Sequence, residues 1–206
     1  VFVLDGTYKY LDYGTYPYYI QDKEILIGLN SNDYEILKIP ISQASFSVVT
    51  DSVNISLSDN SIIGEAKRIH KGHNKAELAY AMDGVKESDY NKKFTKLFNK
   101  GSNKFKVESH QAYNLFKRDI PAEVHYDFIL NDYYRKLNDD FYVNLNLDKS
   151  YQEFLIDTTK VMFTPIENDF HFTERFICRF EIPDGYEVDF IPENGCFEDN
   201  NFRFSI

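Results

Sequence analysis

The strongest constraint on this chain is a strict two-residue alternation of side chains. Val124, Tyr126, Phe128 and Leu130 share one parity, with His125 and Asp127 on the other. Successive side chains of a strand point to opposite faces, so such a run has one buried and one wet face. Val53, Ile55 and Leu57 repeat the pattern, and Asp59-Asn60 supplies a turn before Ile62-Ile63. Phe141, Val143, Leu145 and Leu147 follow the turn residues Asn138-Asp139-Asp140. Phe170, Phe172, Phe176, Cys178, Phe180 and Ile182 also share parity. Pro183-Asp184-Gly185 is then a strong turn signal, and Tyr186, Val188 and Phe190 read as a returning strand. A last strand follows Asn200-Asn201. Short alternating runs joined by turns predict a mainly β fold, an antiparallel β-sandwich, with a closed barrel as the alternative.

One stretch breaks this period. Tyr90, Phe94, Leu97 and Phe98 recur at helical spacing, with Ser88 as a cap before them and Gly101 as a stop. Ala76 to Met82 reads as a second short helix. The predicted fold is therefore a β-sandwich with one or two short helices. Composition agrees: 16 Tyr and 18 Phe, with no Trp, suit pleated, half-buried surfaces. Shorter runs at Glu24–Gly28 and Ile36–Pro40, ahead of the polar stretch Ser42–Thr50, set off a first unit.

Charge narrows the partners. The 23 Lys and Arg against 33 Asp and Glu leave −10, which argues against nucleic acid held through phosphates and against an anionic membrane surface. No apolar run approaches the length of a membrane span. The opening Val1-Phe2-Val3-Leu4 has no Met and no basic stretch. The closing Phe202 to Ile206 stops inside an alternating pattern. Both predict a piece of a longer chain.

Few residues offer chemistry. Cys178 and Cys196 are too few for a disulfide framework, and the spacing leaves a bridge between them open. Cys178 reads as a small buried apolar residue in its strand. His70 and His73, with Glu65 or Glu77, have the makings of a metal site. The basic stretch Arg68 to Lys75 around Gly72 instead predicts a solvated loop, and no metal or cofactor is assigned. His125 and His171 fall on polar strand faces. Asn138-Asp139-Asp140 and Glu198 to Asn201 lack the spacing of a calcium loop and read as hairpin turns. The most unusual local feature is the tyrosine-rich stretch with Tyr8, Tyr10, Tyr13, Tyr16, Tyr18 and Tyr19. It suits either a protein- or glycan-binding surface or packing of its own loop.

The stretch Val3-Leu4-Asp5-Gly6-Thr7-Tyr8, followed by an aromatic loop, Gly14 and Pro17, resembles the end of the transglutaminase-like (papain-like) domain of large Bacteroidetes-type proteins. The stretch from Glu174-Arg175 through Pro183-Asp184-Gly185-Tyr186 to Ile191-Pro192 is similar to the β domain of unknown function that follows it there. The resemblance implies two units: residues 1–41, the terminal strand and loop of a transglutaminase-like domain, and residues 42–206, the β-sandwich. It implies that Asp5 orients the histidine of a Cys-His-Asp triad, as the outermost carboxylate of such a triad does. The family's Cys and His lie ahead of that Asp, so these 206 residues cannot complete the triad. The function implied is a non-catalytic accessory domain, extracytoplasmic, that packs on the preceding catalytic domain of the same chain or presents substrate to it. The alternatives are a binding module using Tyr8, Tyr10, Tyr13 and Tyr16, and a hydrolase in its own right.

Overall fold

The computed structural model describes residues 6–149, 168–199 and 202–206. The fold is mainly β with two short helices. Its centre is a five-stranded sheet of β3 (Val48–Ser58), β4 (Ser61–His70), β5 (Phe105–Tyr113), β6 (Ala122–Asn131) and β9 (Thr173–Phe180), in the order β5-β6-β4-β3-β9. The sheet has two edges, β5 and β9, so it closes no barrel.

The β3–β4 hairpin forms where the sequence placed it. Asp59 and Asn60 take φ of 24° and 67°. That is the backbone a two-residue hairpin turn needs, and Asp and Asn adopt it at low cost. Ten residue pairs in register follow, from Ser58 with Ser61 to Val49 with His70. The opposite edge of β4 pairs antiparallel with β6. The pairing of β3 with β9 is parallel, Val48 with Thr173 through Ile55 with Phe180, so the sheet is mixed.

One face of this sheet carries Val53, Ile55, Ile62, Ala66, Val124, Tyr126, Phe128 and Leu130, all buried. Over them lie Leu78 and Met82 from α1 (Gly72–Met82), and Phe94 and Phe98 from the end of α2 (Tyr90–Leu97). Phe94 and Phe98 stack with ring centroids 5.0 Å apart. Each such side chain contributes roughly 1.5–3 kcal/mol when fully buried. A 3-10 turn at Glu87–Asp89 leads into α2, whose cap is Asp89, so the helix starts one residue later than Ser88 as its cap implies.

Three hairpins lie outside the central sheet: β1 (Glu24–Gly28) with β2 (Tyr34–Lys38), β7 (Arg135–Leu137) with β8 (Asp140–Tyr142), and β10 (Cys196–Glu198) with β11 (Arg203–Ser205). The structure corrects three expectations. The run 143–147 does not continue β8 as a strand. Leu147 is buried in the core, and its carbonyl accepts the Gly101 N–H at 2.8 Å, so that segment closes over the end of α2. Residues 186–190 form no strand; they lie between Pro183 and Pro192, and Val188 and Phe190 face outward. Arg68 to Lys75 is no solvated loop but the end of β4 and the start of α1. The Asn200-Asn201 turn lies outside the described residues.

Candidate functional site

The residues that carry chemistry fall into three settings. The first is where residues 6–23 lie along α1. The Tyr8 hydroxyl donates to Glu77 at 2.7 Å, and the Lys9 amide donates to the Tyr80 hydroxyl at 2.6 Å. Burial and the Glu77 carboxylate hold the Tyr8 phenol well above its ordinary pKa. Tyr10 packs edge-on against Tyr80, centroids 5.0 Å apart, and against Phe116 at 5.6 Å. Tyr10, Leu11, Ala76 and Ala79 form a small buried cluster of their own. Polar clamps flank it. Lys75, 1% exposed, pairs with Asp12; the Asp119 amide donates to the same carboxylate at 2.8 Å, and Arg118 donates to the Lys9 carbonyl at 2.7 Å. Of the four tyrosines considered for binding, Tyr8 and Tyr10 are engaged in this packing. Tyr16 is half-buried with its carbonyl turned to His73, and Tyr13 is 66% exposed.

The second setting is interior. Asp51, on the core face of β3, is 4% exposed. It accepts from Lys100 and from Arg68, the latter at 3.0 Å. Arg68 lies over the Phe98 ring at 4.8 Å, and Lys100 over Phe176 at 5.2 Å. Burial lowers the Lys100 pKa against the opposing pull of Asp51, and burial raises that of the nearby Tyr126. Arg68 Nε donates to His70 Nε2 at 3.2 Å. Burial, with the Arg68 charge, pushes the His70 pKa down to about 3, so the ring is neutral.

His73 is equally enclosed. Its Nε2 is 3.0 Å from the Tyr16 carbonyl, which only accepts, so Nε2 carries the proton. Nδ1 then accepts from the Ser47 hydroxyl at 3.0 Å, and Ser47 Oγ accepts from the His73 amide at 3.1 Å. Ser47 and His73 have the residue types of a nucleophile and base. Both are fully buried, Phe170 stacks on the imidazole at 4.9 Å, and no reactant reaches the hydroxyl. Burial lowers the His73 pKa. Among the described residues no three His, Cys, Asp or Glu gather as metal ligands.

The third setting is the wet face of the central sheet. Ser52 and Asn54 from β3, Glu65 and Lys67 from β4, Ser109 and Gln111 from β5, His125 and Asp127 from β6 and Arg179 from β9 line an open cleft of about 480 Å³. Register places Glu65 beside Asp127 and Lys67 beside His125. Ser109 donates to Asp127 at 2.5 Å, and Glu123 binds both His125 and Lys67, which lower its pKa. This is a platform of donors and acceptors of both signs.

Cys178 and Cys196 are both free thiols. Burial pushes the Cys178 thiol up to about 11, the opposite of an activated nucleophile. Asp5 lies outside the described residues. Among the described residues no helix is long and apolar enough to cross a membrane. No family model, no curated protein and no solved structure matches this chain.

Proposed function

We propose that this chain is a non-catalytic accessory β module. On this reading residues 6–23, part of the stretch 1–41 that resembles the end of a transglutaminase-like domain, are docked on α1, and the module holds whatever precedes them at a fixed orientation. The wet sheet face is turned to substrate or partner. The setting is extracytoplasmic, and Asp5 belongs to the triad of the preceding domain.

One observation carries the reading: the Tyr8–Asp12 segment is sealed to α1 by a buried aromatic cluster and by charged clamps on both sides. A flexible tail would have neither. Supporting it, Ser47 and His73, which have the residue types of a nucleophile and base, are buried and spent on each other.

The test is to incubate the protein with a glutaminyl peptide and a fluorescent primary amine, following ammonia release and amine incorporation. No turnover above buffer is expected. Turnover abolished by Cys178→Ser or Cys196→Ser would overturn the non-catalytic reading. A second reading, a protein- or glycan-binding module, is favoured by the exposure of Tyr13. It requires that Tyr13→Ala lose retention on an immobilised glycan or protein that the parent chain binds.

A further inference from the structure

The free edge of β5 is treated unequally along its length. Val107 donates its N–H to Thr95 Oγ1 of α2 at 2.9 Å, and Asn91 Nδ2 of α2 donates to the Glu108 carbonyl at 2.6 Å. A bulge between Val107 and Ser109 breaks the register with β6 at the same place. Side-chain capping and a bulge are the devices that keep an edge strand from pairing with another chain. Beyond them, Ser109–Tyr113 pairs with β6 on one side and makes no other main-chain hydrogen bond among the described residues. This half of the edge also has no Pro, Lys, Asp or Glu to discourage pairing.

A cleft of about 690 Å³ lies against this open half, lined by His110, Gln111, Ala112 and Tyr113 in succession, and also by Tyr90 and Phe116, with Glu87 and Lys117 as its charged residues. Consecutive strand residues point to opposite faces. A cleft that touches four in a row therefore runs along the strand's edge, where another strand would lie. Phe116, packed on Tyr10, keeps 44% of its surface exposed there.

Charge indicates the occupant. Residues 86–118, which form α2, β5 and the rim, hold nine Lys or Arg against three Asp or Glu; with Lys100 buried against Asp51, eight against three leave a local surface charge of +5 in a chain of −10. Lys86, Lys92, Lys93, Lys96 and Lys117 form no ion pair among the described residues. A second copy meeting this edge brings the same basic surface and is repelled; an acidic segment is attracted over about a Debye length.

The geometry points to an extended acidic peptide segment that adds to β5 as a sixth strand over Ser109–Tyr113, with one apolar side chain seated between Tyr90 and Phe116. Main-chain hydrogen bonds supply affinity in such strand addition, and side-chain seats supply selection.

The probe is a fluorescein-labelled ten-residue peptide alternating Glu with Val around a central Phe. Its counterpart has Lys for each Glu. Fluorescence anisotropy is expected to show the acidic peptide binding at least tenfold tighter. Amides of Ser109–Tyr113 directed away from β6 should gain protection from exchange. The Lys86→Glu/Lys117→Glu protein, whose changes lie on the surface and spare the core, should lose that preference at least tenfold. Ala112→Pro, which removes an edge amide, should abolish binding. Equal affinity for the two peptides, protection elsewhere than β5, no binding at all, or concentration-dependent pairing of β5 with a second copy would each overturn the proposal.

Discussion

Asp51 shows what single residues do in this molecule. It is a carboxylate on the apolar face of a central strand, held between Lys100 and Arg68. Removing one partner of a buried ion pair leaves the others uncompensated and costs about 3–5 kcal/mol. Asp51→Ala is therefore expected to lower the urea midpoint strongly, and Asp51→Leu/Lys100→Met to recover the part of the loss that comes from the stranded Lys100, with Arg68 left unpaired. Equal destabilisation by the double change would show that the pair is not coupled. His70 gives a pH dependence of known sign. Its folded pKa, about 3, lies below the ordinary histidine value, so the unfolded chain binds the extra proton. Stability is thus lost as pH falls from about 6.5 towards 3, at up to about 1.4 kcal/mol per pH unit for this one group. His73, also lowered, adds to the same trend. Denaturant melts from pH 7 to pH 4 should show a shallower loss in His70→Gln than in the parent, whatever its absolute stability. The two thiols should separate in Ellman titration: exposed Cys196 reacts at once, and half-buried Cys178, its thiol held at about 11, reacts more slowly. Simultaneous reaction of both would contradict the placement of Cys178.

At the scale of elements, legibility followed locality. The β3–β4 hairpin was readable because Asp59-Asn60 and the alternation on both sides are contiguous in sequence. Helix α2 was readable because Phe94 and Phe98 lie on one stripe. The pairing of β3 with β9 joins residues about 125 apart, and no local signal encodes a partner at that distance. The bulge after Val107 moves the inward positions of β5 from Phe105 and Val107 to His110 and Ala112, which hid the strand from a period-two reading. Lys75 and His73 misled because charge and ring nitrogens were read as solvent-seeking. Their partners, Asp12 and the Tyr16 carbonyl, lie some sixty residues earlier in the chain. Of the candidate site, the tyrosine-rich stretch was visible as an anomaly, but its seat on α1 was not. That seat carries its own prediction. Tyr10→Ala removes a buried ring packed on Tyr80 and Phe116, with an expected cost of about 3–5 kcal/mol. An exposed change such as Tyr13→Ala should cost under about 0.5 kcal/mol.

Taken whole, the molecule is built on a central five-stranded sheet with a sealed face and a wet face, and an N-terminal segment lies along a helix at its side. The charge distribution differs between its sides: a basic rim around β5 in an otherwise acidic chain, and a mixed polar platform across the strands. The accessory reading stands or falls on whether residues 6–23 are part of this folded unit. Hydrogen exchange on the intact protein measures this directly. If they are, the amides of Lys9, Tyr13 and Asp119, which donate to Tyr80, Asp119 and Asp12, exchange more slowly than in a free peptide, that of Lys9 with the opening of the segment from α1. Their protection should fall together in Tyr10→Ala. Exchange of Lys9 and Tyr13 at the rate of a free peptide, with α1 still protected, would contradict the account.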